Sequence, residues 1–248
     1  ALLAIIFNLK FNPDVRFGLR YFKLRKDVVG PVLTVGIPSV IMNSIGSVMN
    51  VGINKILQGF TQYGEVPVNV FGIYFKLQSF FFMPLFGMNN ASISIVAYNY
   101  GARKPHRIMK TLKIASLSAL IFMLGGLAVF QSVPELLLGM FKASPEMLAI
   151  GVPALRIIST LFPFAAFGII ATSSFQALGK GVWAMLTSLA RQLGLLLPAA
   201  FLLSLTGRLE LVWLAFPIAE LMSLLLSMIF LGKTMRVANA HMAAANQK

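Results

Sequence analysis

The sequence predicts an all-α integral membrane protein folded as a six-transmembrane-helix bundle, on three observations. Hydrophobic residues make up 58% of the 248 and charged residues only 11%, whereas about a quarter of an ordinary soluble chain is charged. Apolar runs long enough to cross a bilayer, which takes about 20 residues, follow one another at residues 30–57, 68–100, 109–133, 147–178, 182–206 and 210–232. Most of the basic residues behind the net charge of +14 fall at the ends of these runs or in the gaps between them instead of forming one stripe. Such a placement reads as a topology signal and an attraction for membrane lipid headgroups, not as a nucleic-acid surface.

The elements are justified in order along the chain. Residues 1–7, Ala-Leu-Leu-Ala-Ile-Ile-Phe, are apolar but too short to span, and are expected to end a truncated preceding helix. A signal peptide would carry its basic residues before the apolar stretch, and here they follow. Residues 8–29 form a polar connector with Lys10, Arg16, Arg20, Lys23, Arg25 and Lys26 against Asp14 and Asp27. The six-helix lobe is expected over 30–236 and a polar tail over 237–248.

The first predicted helix carries Asn43, Ser47, Asn50 and Asn54 at spacings of four, three and four, one polar stripe that must face away from lipid. It reads either as interhelical hydrogen bonding or as a cavity wall. The second places Lys76, Phe80, Met83, Gly87 and Asn90 on one face, with Pro84 in mid-helix to loosen the backbone. Aromatic and methionine side chains beside sparse polar groups suit bulky apolar or cationic ligands. The fourth helix carries Arg156, Ser159, Pro163 and Gln176, and the fifth Thr187, Arg191, Gln192 and Pro198. In the sixth, Pro217 and Glu220 share a face.

Orientation follows from the basic residues. With residues 8–29 cytoplasmic, that side holds the six named above, Arg103, Lys104, Arg107, Lys110 and Lys113, then Lys180, then Lys233, Arg236 and Lys248, fifteen in all (6 + 5 + 1 + 3). The other side keeps Lys55, Lys142 and Arg208. Fifteen against three puts both ends of the bundle in the cytoplasm. The three remaining bases, Lys76, Arg156 and Arg191, fall inside predicted helices, joined by one acid, Glu220. With a turn near Thr206–Arg208, Arg191 and Glu220 differ in depth by about 6 Å, within an arginine's reach. They are candidates for a buried ion pair or for a proton-linked site.

Several chemistries are excluded. There is no cysteine, and both histidines, His106 and His241, lie in polar segments, so neither a metal site nor a Cys/His pair is expected. No P-loop, HExxH or Ser/His/Asp pattern occurs, so no catalytic residue and no cofactor is predicted. Anything that crosses the membrane here must be driven by an ion gradient or by its own.

These residues resemble a known family. Phe86-Gly87-Met88-Asn89-Asn90 through Ala97-Tyr98-Asn99-Tyr100-Gly101-Ala102, followed by Arg103 and Lys104, is similar to the eighth-helix signature of prokaryotic multidrug and toxic compound extrusion (MATE) transporters. Ser173-Ser174-Phe175-Gln176-Ala177-Leu178-Gly179-Lys180-Gly181 resembles the end of that family's tenth helix. Leu189-Ala190-Arg191-Gln192 and Ala215-Phe216-Pro217-Ile218-Ala219-Glu220 resemble its eleventh and twelfth.

The resemblance implies the C-terminal lobe of a twelve-helix, pseudo-symmetric antiporter of the bacterial inner membrane. Its N-terminal six-helix lobe would be missing from this chain, and residues 8–29 would join the two. It also implies export of small amphipathic or cationic substrates in exchange for H⁺ or Na⁺. The substrate would meet Asn43, Asn50, Lys76, Met83, Asn90 and Arg156. Sodium-coupled members carry acids in the seventh and tenth helices, and Gly30–Leu57 and Met147–Leu178 have none. Coupling is therefore expected in the absent lobe, with Glu220 the only intramembrane carboxylate of this one. Two other readings are a flippase for lipid-linked saccharides of related fold, with Arg156 and Arg191 binding phosphate, and a non-transporting membrane scaffold.

Overall fold

The computed structural model describes residues 26–246. The expected helix end over 1–7 and most of the connector over 8–29 lie outside the described residues. The chain divides into two compact units between Gly36 and Ile37. The described part of the first is the opening of a helix, and the second contains the rest of the fold. Every regular element among the described residues is helical.

Helix α1 spans Lys26–Gln58 and α2 spans Val66–Gly101. A tight turn at Ala102–Lys104, with Arg103 at φ 54°, leads into α3, Pro105–Ser132. A short α4, Pro134–Gly139, precedes α5, Pro145–Ser159, and α6, Phe162–Ala177. Helix α7, Gly181–Leu189, passes through a π-helical segment, Ala190–Leu196, into α8, Leu197–Ser204. Helix α9 runs over Leu209–Asn246. Prolines open α3, α4 and α5, where the missing N–H has no intrahelical partner to lose. Ser144 caps α5 by accepting a hydrogen bond from the Met147 N–H at 3.2 Å.

Five helical stretches are long and apolar enough to cross a membrane, and α5 with α6 makes a sixth span bent by 46°. The uninterrupted run over 147–178 predicts one helix there, and the structure breaks it. Pro163 has no N–H to offer the backbone one turn earlier. The break is held by Gln131, whose Nε2 donates to the Arg156 carbonyl at 2.8 Å and to Ser159 Oγ at 3.2 Å. By contrast α2 continues through Pro84. Helix α4 was not expected from the sequence, since six residues are too few to show a period.

The core sits around α6, which packs against α2, α3, α7 and α9. Phe162 anchors it, with Phe130 at 5.1 Å, Phe82 at 5.6 Å and Phe81 at 6.2 Å between ring centroids. Gly126 lets α3 approach, because a Cβ there would lie 2.8 Å from the Phe81 ring. Many hydroxyls within the spans are satisfied on their own helix. Ser79, Ser92, Thr172 and Ser174 donate to the carbonyls of Phe75, Met88, Gly168 and Ile170, which explains how polar residues sit in apolar helices without marking a site.

Candidate functional site

The site begins with a backbone irregularity. Pro198 cannot donate to the carbonyl four residues back, at Gly194. Across the Ala190–Leu196 segment the helix widens, and the Leu197 N–H reaches the Gln192 carbonyl, five residues back. Such π-bulges re-aim side chains and recur at functional positions. Arg191 lies in this one, and its Nη1 meets Glu220 of α9 at 3.1 Å to Oε1 and 3.2 Å to Oε2. The Glu220 side chain is 9% exposed and that of Arg191 27%, so the carboxylate is the buried partner and the guanidinium keeps a path to polar surroundings.

Two cavities meet at this pair. A small one of ≈ 100 Å³ lies between α1, α2, α6, α7 and α9, with Asn89, Thr172, Gln176 and Ser223 around the ion pair. A larger one of ≈ 500 Å³ opens from it, walled by Met42, Met49, Phe75, Phe82, Met83 and Phe86. Arg191 and Glu220 lie on both. Tyr74 Oη and Asn89 Oδ1 are buried without a hydrogen-bond partner among the described residues. Tyr74 borders the larger cavity and Asn89 the smaller.

The residues predicted to share one substrate surface are divided by the structure. Asn43 and Met83 line the larger cavity with Arg191 and Glu220. Asn50 and Lys76 line a separate cavity of ≈ 460 Å³ nearer the α1–α2 turn, with Asn54, Asn69 and Phe141. Asn90 and Arg156 are exposed and border none of the three cavities. Asn90 stands one position past Asn89, about 100° round the helix, and Arg156 sits on α5, before the break that precedes α6. Part of the amide stripe is internally paired, since Asn54 Nδ2 donates to Asn50 Oδ1 at 2.9 Å. Tyr74, Gln78 and Ser188 also border the larger cavity. Tyr74 and Gln78 share a helix face at a spacing of four, which was the available signal.

The profile of the MatE family matches residues 38–202 of this chain, a stretch that covers the cavity walls from α1 to α8. The chain belongs to the MatE family. Among relatives, "Multidrug export protein MepA" of Staphylococcus haemolyticus is 24% identical over 213 residues, which is 86% of this chain and 46% of that protein. Two solved structures share the fold at 21% identity. One is described as the outward-facing conformation of a multidrug resistance MATE family transporter, with a TM-score of 0.86 over 96% of this chain and 54% of its own. The other is described as MATE in the bent conformation, with a TM-score of 0.87 over 98% of this chain and 54% of its own. This MatE chain thus spans about half the length of the relatives it matches, as one lobe of such a fold does. It is a multi-pass membrane protein, and the MatE match covers α6 and the π segment but stops short of Glu220.

Proposed function

We propose that this MatE lobe forms the C-terminal half of a secondary active exporter of amphipathic compounds, driven by inward H⁺ or Na⁺ and working by alternating access. The single observation that carries the reading is the ≈ 500 Å³ cavity whose aromatic and methionine walls end on the buried Arg191–Glu220 pair. Apolar walls with a few convergent polar groups are the composition of small-molecule sites, and methionines let such walls re-pack around different ligands. The name of the Staphylococcus haemolyticus relative supports the same reading.

In this reading the ion pair links the cavity to the helices that must move. Glu220 is fixed on α9 and Arg191 on the π segment, and the pair joins them, so a change at either is felt by both helices. Tyr74 Oη and Asn89 Oδ1 are polar groups still to be satisfied, by substrate or by water that enters with it. The loop between α2 and α3, with Arg103, Lys104 and Arg107, faces the cytoplasm. The flippase reading gains nothing from the geometry, because Arg156 is off the cavity and Arg191 is neutralised by Glu220.

The test is Glu220→Gln in the full-length transporter, with efflux of one cationic and one anionic fluorescent amphiphile measured from cells at matched expression. Export is expected to fall at least tenfold. Unchanged export would leave the pair with a structural role only.

A further inference from the structure

The charges on the cavities do not match a cationic ligand. Among the described residues, the linings of all three cavities hold one carboxylate, Glu220, and Arg191 already occupies both of its oxygens. The cavity beside the α1–α2 turn has no carboxylate at all and carries Lys76. No carboxylate among the described residues pairs with Lys76, whose Nζ lies 5.8 Å from the centre of the Phe141 ring.

The other polar groups there are the neutral amides of Asn50, Asn54 and Asn69, which can donate as well as accept. Asn50 Oδ1 is taken by Asn54, which leaves the Asn50 NH₂ free to donate into the cavity it lines. Asn69 lines the same cavity from α2, between Val68 and Phe71. An ammonium, neutral amides able to donate and no acid form an environment for an oxyanion, with Phe71, Ile73 and Met147 supplying apolar contact beside it. Lys76 and Met83 are seven residues apart on the face of α2 that carries both cavities, about 10 Å along one helix. An amphiphile of that length reaches from one cavity to the other.

We infer that this lobe selects amphiphiles that bear a carboxylate, sulfonate or phosphate, held at Lys76, Asn50 and Asn69, with the apolar body directed toward the methionine and aromatic walls. The inference rests on the export reading above and narrows its substrate class. A cationic head would meet Lys76 with no counter-charge of its own in this lobe.

The experiment uses full-length protein in dodecyl maltoside and two probes with one aromatic body, pyrenebutyrate and pyrenebutylamine. Wild type is expected to bind pyrenebutyrate the more tightly. Lys76→Met should weaken pyrenebutyrate about tenfold, the range of one charge-assisted hydrogen bond. Lys76→Arg should restore it to within about twofold, which separates a charge effect from misfolding. Equal pyrenebutyrate affinity in wild type and Lys76→Met, or tighter binding of the amine by wild type, overturns the inference. Displacement of pyrenebutyrate by phosphatidylglycerol but not by phosphatidylcholine would make the bound oxyanion a lipid headgroup and overturn selection of an exported acid. Failure of the export reading looks different. Wild-type proteoliposomes that move neither probe would sink that reading, whereas ethidium export together with a null effect of Lys76→Met sinks only the substrate class.

Discussion

Removing the partners of the Arg191–Glu220 pair one at a time and then together is expected to give strongly non-additive losses of stability. One guanidinium nitrogen bridges both carboxylate oxygens at 3.1 and 3.2 Å, and Glu220 is 7% exposed. Arg191→Met leaves that carboxylate without its charged partner, and breaking a buried pair from one side costs about 3–5 kcal/mol. Glu220→Leu leaves Arg191, which at 27% side-chain exposure can turn toward polar surroundings, so its loss should be smaller, about 1–2 kcal/mol. The double variant replaces both by apolar groups of similar length and should lie within about 1 kcal/mol of wild type. The coupling energy is then about 3 kcal/mol or more. Denaturation of the full-length protein by sodium dodecyl sulfate in mixed micelles measures all four corners of the cycle. Single losses that simply add, with coupling under about 0.5 kcal/mol, would refute the account of a desolvated pair.

Two further predictions concern the packing around α6 and the break before it. Gly126→Ala would set a methyl 2.8 Å from the Phe81 ring and 3.2 Å from the Phe162 ring; both rings are packed against others, so the same denaturation assay should show a loss of about 1–3 kcal/mol. Gln131→Leu removes the donor to the Arg156 carbonyl at the α5–α6 break and should lower stability by about 1–2 kcal/mol, while an unchanged midpoint would show that the bend does not depend on this bond.

The number and placement of the spans were legible because bilayer thickness imposes a length that hydropathy records directly. Six apolar runs in the sequence correspond to five long helical spans and one bent pair. What hydropathy does not record is how a helix ends or breaks inside the bilayer. The break at Thr160 and the π segment at Ala190 each stand just before a proline, at Pro163 and Pro198, yet α2 passes Pro84 without interruption. Whether a freed carbonyl breaks a helix depends on what receives it. At the α5–α6 break a neighbouring carbonyl, that of Arg156, is taken by Gln131, a residue of another helix, and no local pattern contains that.

The same reasoning explains which site residues were visible. Arg191 and Glu220 stood out because ionised side chains at that depth require each other, and depth follows from counting residues to the turn. The proposed surface of Asn43, Asn50, Lys76, Met83, Asn90 and Arg156 was assembled from helix faces, and a face is shared along its whole length while a cavity is not. Asn43 with Asn50, and Lys76 with Met83, each lie seven residues apart, and the structure assigns each pair to two cavities. That separation places the ion pair in one cavity and the unpaired ammonium in the other. A ligand bridging the two would contact α1 and α2 at both ends and the Arg191 segment at only one. Its binding would then favour whichever arrangement of the lobe keeps the larger cavity open, which is the differential contact that alternating access requires.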